Sequence, residues 1–211
     1  MKQLATLIAA CTLTTACYAQ SDLLQKVMGD FRVDESEAAA AILIGDALGI
    51  KTDWLIGQSR EVNSPLGSLG IPILISHQTG YDLRQVMSHK PKGEGWGNVA
   101  KRLGMHPGTF NKMRVKGGGN FEDGAWYDMV NRRYPVTQDR YMDLRRHGYN
   151  NEDIVTATVK NGGFKGKFEE DLKELHEVRK KKTPAITVKE KGGGKGQGKG
   201  GGKGKGGGKK G

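Results

Sequence analysis

The sequence predicts an all-α protein: short helices in helix-turn-helix-like repeats, followed by a disordered Gly/Lys-rich tail. Three observations carry this. Apolar residues recur at helical spacing in many short runs. No long alternation of β-branched residues and no hairpin turn between two such runs is present. The run "ILIGDALGIKTDWLI" from Ile42 can be laid on "ILISHQTGYDLRQVM" from Ile73 without a gap.

The first segment reads as an export leader. Lys2 supplies a positive start, an uncharged and mostly apolar run covers Leu4 to Ala16, and small residues lead to Ala19. The run is too short for a bilayer-spanning helix, which takes about 20 residues. The expected division is a signal peptide over 1–19, a helical domain over 20–182 and a disordered basic tail over 183–211. "TTAC" places Ala16 before Cys17, so lipidation at Cys17 is the alternative to cleavage after Ala19, and only that would anchor the chain to a membrane. Both cysteines, Cys11 and Cys17, fall in the leader. The body therefore has no disulfide framework and no thiolate metal site.

Along the body, "SDLLQKVMGDF" places Leu23, Leu24, Val27, Met28 and Phe31 on one helical face. "DESEAAAAILIGDALG" opens with acids, which suit the positive end of a helix dipole, and stops at Gly49. "TQDRYMDLRRHG" takes Thr137 as its N-cap and Gly148 as its stop; "NNEDIVTATVKNGG" runs from an Asn151 cap to Gly162. "KFEEDLKELHEVRKKK" aligns Phe168, Leu172, Leu175 and Val178 in one stripe. Its acids come early and its lysines late, with Glu169 and Glu177 four residues before Lys173 and Lys181.

The repeat sets Gly49 on Gly80 and Leu55–Ile56 on Val86–Met87. The copies reach similar endings, "SPLGSLGIP" near Pro72 and "VAKRLGMHP" near Pro107. The units are expected over about 40–72 and 73–107, each a helix, a glycine turn, a second helix, a loop and a third short helix. A possible third copy begins near 150, at "IVTATVKNGGF". Units of this length do not bury their apolar face alone and stack on neighbours.

"WGNVAKRLGMHPGTFNKMR", Trp96 to Arg114, has a small residue at Ala100, a turn glycine at Gly104 and apolar residues at Val99, Leu103, Met105, Phe110 and Met113. Over these residues the chain resembles the helix-turn-helix of Cro-like phage repressors and related bacterial regulators. That resemblance implies a nucleic-acid surface formed by Lys101, Arg102, Asn111, Lys112 and Arg114. Repressors read base edges from the first residues of the second helix. Here those are His106, Pro107 and Gly108, of which proline has no side-chain donor and glycine no side chain. The alternative reading is a tri-helical corner used for packing.

Catalytic signals are few. His77, His89, His106, His147 and His176 share no helical-face spacing of three or four and form no metal-binding pattern. Glu169, Glu170 and Asp171 are explained by a helix dipole. Glu122 and Asp123, beside Gly124, read as a solvated turn. "GEGWGN" is not a phosphate loop, since no Gly-Lys-Ser/Thr ends it. Its Trp96 is expected to staple the helix start to the core, or else to line a ligand groove.

Charge divides the chain. All 23 acidic residues lie between Gln20 and Glu190. From Lys191 to Gly211 there is no acid, and Lys191, Lys195, Lys199, Lys203, Lys205, Lys209 and Lys210 stand among thirteen glycines. Such a string attracts polyanions by counterion release with little discrimination. The expectation is an exported, non-enzymatic binding or structural protein, periplasmic or extracellular, without a cofactor. Its tail would associate with an anionic polymer or surface such as nucleic acid, lipopolysaccharide or another envelope component. Two other classes stand beside it: a nucleic-acid-binding protein using 96–114, and an envelope enzyme or regulator with a groove beside Trp96.

Overall fold

A computed structural model describes residues 20–115 and 120–182. Every regular element among them is a helix, as the sequence predicts. The segments expected to be a signal peptide and a basic tail, 1–19 and 183–211, lie outside the described residues, and with them Cys17 and the seven lysines from Lys191 on.

The helices are α1 (20–31), α2 (Glu35–Leu48), α3 (Thr52–Glu61), α4 (Leu66–Thr79), α5 (Leu83–Ser88), α6 (Trp96–Arg102), α7 (Pro107–Lys112), α8 (Phe121–Arg133), α9 (Gln138–Arg146), α10 (Asn151–Lys160) and α11 (Phe168–Lys182). Helix α2 is the centre. Ala38 through Gly45 are all buried, so it is apolar all round and packs on α3, α4, α8 and α10. Asp34 caps it by accepting from the Glu37 N–H at 2.8 Å, and Gly49 closes it in a left-handed conformation (φ +70°).

The two repeated runs occupy matching positions. Ile42–Leu43–Ile44 are buried in α2 and Ile73–Leu74–Ile75 in α4; Gly49 and Gly80 both end their helices with positive φ; Leu55 and Ile56 are buried in α3 and Val86 in α5. The boundary expected at 72/73 falls inside α4, which runs through the buried Pro72 to Thr79. The ending "SPLGSLGIP" therefore supplies the first half of a long helix and no separate short one. Its apolar residues on both sides of Pro72 are buried together, and this packing outweighs the hydrogen bond that proline withholds.

Smaller differences follow the same logic. Asn150, not Asn151, caps α10, accepting from the Asp153 N–H at 2.7 Å. Thr137 caps α9 as expected. The stripe on α11 is covered only at its start. Phe168 and Leu172 are buried and Leu175 partly so, while Val178 is 44% exposed. Glu169 pairs with Arg140 and Glu177 with Lys180, rather than with Lys173 and Lys181.

Glu122 and Asp123 do not form a solvated turn. They lie in the first turn of α8, behind the Asn120 cap, and Asp123 is buried. Gly124 marks a close approach: a Cβ there would run into the Met113 carbonyl. Its glycine signal is about space between chain segments.

Candidate functional site

Residues 96–114 form two short helices joined by a turn. Gly104, at φ +80°, lets the turn adopt a left-handed conformation that a Cβ would oppose. The Gly104 N–H donates to the Lys101 carbonyl at 3.0 Å and the Met105 N–H to the Ala100 carbonyl at 2.9 Å, the paired bonds of a glycine helix stop. Val99, Ala100, Leu103, Met105 and Met113 are buried, and Phe110 is partly so.

The surface that the resemblance implies is divided. Arg102 turns back onto its own scaffold, donating to Glu94 at 2.8 and 2.9 Å and to the His89 carbonyl at 2.5 Å. This fork holds the Glu94 carboxyl below its ordinary pKa. Lys101 Nζ lies over the Phe110 ring at 4.8 Å, and Phe110 stacks on Phe121 of α8 at 4.9 Å. Asn111, Lys112 and Arg114 are exposed at the end of α7. At the start of α7, His106 Nδ1 accepts from the Gly108 N–H at 3.1 Å, so this imidazole caps the helix.

A groove of about 400 Å³ lies next to this corner. Its walls come from the first turn of α4 (Gly67, Ser68), the starts of α6 (Trp96), α8 (Glu122, with Trp126 a turn later) and α10 (Glu152), the α10 cap Asn150, and Arg145 near the end of α9. Trp126 fits because residue 70 is glycine; a Cβ there would sit 2.5 Å from the indole. The expected staple is present at Trp96. It packs against the core and lines the groove, with Lys90 Nζ 5.2 Å from its ring centroid.

Beneath the groove runs a buried polar network. Asp123 Oδ1 accepts from Arg145 Nε at 2.8 Å and Asn151 Nδ2 at 3.0 Å; Asn151 Oδ1 accepts from the Tyr141 hydroxyl at 2.9 Å; Arg145 also donates to the Tyr149 carbonyl at 2.5 Å. Beside it, Asp153 Oδ1 accepts from Arg179 Nε at 2.9 Å, and Asp153 Oδ2 lies 3.7 Å from His176 Nδ1. Arg179 also holds Glu152 at 3.0 Å. Burial pushes the Tyr141 hydroxyl far above its ordinary pKa, so it stays a donor.

No protein-family model, no curated protein and no solved structure matches the chain.

The groove therefore rests on its own geometry, and that geometry has an internal symmetry. Asn120-Phe121-Glu122-Asp123 and Asn150-Asn151-Glu152-Asp153 are two copies of Asn-x-Glu-Asp. In each, the asparagine caps a helix by accepting from the aspartate N–H at 2.7 Å. In each, the aspartate is buried and bonded by the Nε of an arginine from the next helix. In each, the glutamate lines the groove. Sequence reasoning missed these residues because they are spread over four helices. The duplicated Asn-x-Glu-Asp string was the available signal.

Among the described residues, no group of three His, Cys, Asp or Glu is placed to hold a metal ion.

Proposed function

We propose that this chain is an exported, non-enzymatic binding protein whose helical body is a scaffold and whose basic tail associates with an anionic polymer or surface. The observation that carries this reading is the partition of charge. The segment from Lys191 to Gly211 holds seven lysines and no acid, while every acidic residue of the chain lies between Gln20 and Glu190. Within the body, many cations face acids: Arg102 with Glu94, Arg132 with Asp128, Arg133 with Asp46, Arg145 with Asp123, and Lys160 with Glu35 and Asp171. The lysine string carries more positive charge than the other long acid-free stretch, seven lysines over 191–211 against five Lys and Arg over 95–121, which favours it as the polyanion-binding element.

The second reading, a nucleic-acid-binding protein proper, is favoured by the α6–turn–α7 corner with Asn111, Lys112 and Arg114 exposed at its edge. Against it stand a second helix of six residues, the use of His106 as a cap and the engagement of Arg102 by Glu94.

One experiment separates the two. Binding to random duplex DNA and to anionic vesicles is measured over a salt series, for the full chain and for a chain ending at Lys182. The tail reading expects affinity for both ligands to collapse on truncation. The salt slope on DNA should fall by roughly 0.9 for each phosphate that the tail had neutralised. Unchanged binding by the truncated chain overturns it. Loss of DNA binding on changing Asn111 and Arg114 alone supports the second reading. Mass spectrometry of the mature N-terminus tests the export step and distinguishes a Cys17-lipidated form from one beginning at Gln20.

A further inference from the structure

We propose that the groove between Trp96 and Trp126 is a binding site for a neutral saccharide, separate from any polyanion held by the tail. Three properties of the walls lead to this ligand class.

The first is size and shape. About 400 Å³ lies in the lower part of the range for small-molecule sites, enough for a short run of sugar rings. The groove is built where the starts of α4, α6, α8 and α10 converge with the end of α9, so rigid elements define it.

The second is the pairing of apolar faces with polar edges. Trp96, half-buried, lines the groove with part of its indole accessible, and the buried Trp126 closes the wall behind it. A pyranose presents C–H bonds on its faces and hydroxyls around its rim, so it gains from a flat apolar wall and from hydrogen-bonding groups at the margin. Trp126 is seated in the core by its close packing on residue 70, where a Cβ would not fit.

The third is the sign of the charges. Glu122 and Glu152 supply acceptors, Arg145 and the Asn150 amide supply donors, and the Ser68 hydroxyl can do either. An anion such as phosphate would face two carboxylates. A cation would face Arg145, with Lys90 already over Trp96. A polyol, which donates and accepts at every hydroxyl, satisfies both kinds of group. Glu122 is the better-placed acceptor: among the described residues it takes a 3.5 Å contact from the Trp96 backbone N–H, whereas Glu152 is held by Arg179 at 3.0 Å. The buried bonds of Asp123 and Asp153 fix the first turns that carry both glutamates.

The test uses the full chain and isothermal titration with an N-acetylglucosamine oligosaccharide and an unsubstituted gluco-oligosaccharide, beside inorganic phosphate and tetramethylammonium. The expected result is binding of at least one oligosaccharide, weakened about tenfold by Glu122→Gln, the cost of losing a hydrogen bond to a charged acceptor. Trp96→Ala should weaken it at least as much, and Trp54→Phe, remote from the groove, should leave it unchanged. Far-ultraviolet circular dichroism confirms that each variant is folded. The two oligosaccharides distinguish an amino-sugar polymer from a plain glucan. Absence of heat with both up to millimolar concentration overturns the proposal. So does unchanged affinity in Glu122→Gln, or tighter binding of phosphate or tetramethylammonium at the same residues.

Discussion

Arg145 Nε donates to Asp123 Oδ1 at 2.8 Å, tying the last turn of α9 to the first turn of α8 beneath the groove. The same carboxylate oxygen takes Asn151 Nδ2 from α10. One buried acceptor therefore joins three helices. Asp123→Ala would leave Arg145 and Asn151 without it, and breaking one partner of a buried pair costs about 3–5 kcal/mol. The expected outcome is a loss in that range by urea denaturation. In an Arg145→Ala background the same change should cost clearly less, and a double-mutant cycle measures the difference.

Two glycines should respond to alanine in opposite directions. At Gly124 the new Cβ would collide with the Met113 carbonyl, which is backbone and cannot rotate away. Gly124→Ala is expected to destabilise by about 3 kcal/mol or more, through a forced shift of α8 from the end of α7. Gly57 sits in α3, exposed, with nothing within 4 Å of a Cβ. Gly57→Ala should stabilise by about 0.5–1 kcal/mol through helix propensity. Thermal melts of the two variants beside the parent check both signs.

What was legible in the sequence is what is decided locally. Helical spacing, the acids at the start of α2, the Thr137 cap and the Gly49 and Gly148 stops act within a few residues, so those signals survive in a linear reading. The α4 boundary was not legible, because Pro72 is a stop signal locally and burial overrides it. Nor was Asp123. An Asp beside a glycine reads as a turn until a helix start, an arginine 22 positions away and the Met113 backbone are brought together. Trp96 was legible as a groove or staple residue, but its companions Trp126, Arg145 and Glu152 were not, since only the packing of α8, α9 and α10 makes them neighbours.

Arg102 and Glu94 provide a test of how far the helix-turn-helix corner is committed to structure. The Arg102 fork lowers the Glu94 pKa chiefly by hydrogen bonding, with Coulombic help from Arg102 and Lys90. A carboxylate depressed in the folded state adds stability above its unfolded pKa, and that contribution is lost as pH falls through its folded value. The Glu94 carboxyl, followed by NMR titration, should change below its ordinary range and return toward it in Arg102→Gln. Because Arg102 is already engaged, Arg102→Gln should leave DNA affinity unchanged within about twofold, whereas removing a phosphate-binding cation would lower both affinity and salt slope.

Alkaline titration reads the other end of the fold. Burial, with a lesser push from Asp46, raises the Tyr134 hydroxyl to about 12. Tyr141 is raised further by burial, and Tyr127 is raised by burial and by Asp128 and Asp139. These groups are neutral in the folded protein at a pH where an unfolded chain has given up their protons. Their contribution is complete below about pH 10 and falls as pH rises through the folded values. For Tyr134 alone, two pK units correspond to about 2–3 kcal/mol. Phenolate absorbance from these three tyrosines should therefore rise above about pH 11 and coincide with loss of the helical signal. Tyr134→Phe should reduce the pH dependence of stability between about 10 and 12. A single stage of ionisation centred near the ordinary tyrosine value of about 10, with the helices intact, would show that water reaches these hydroxyls in the folded protein.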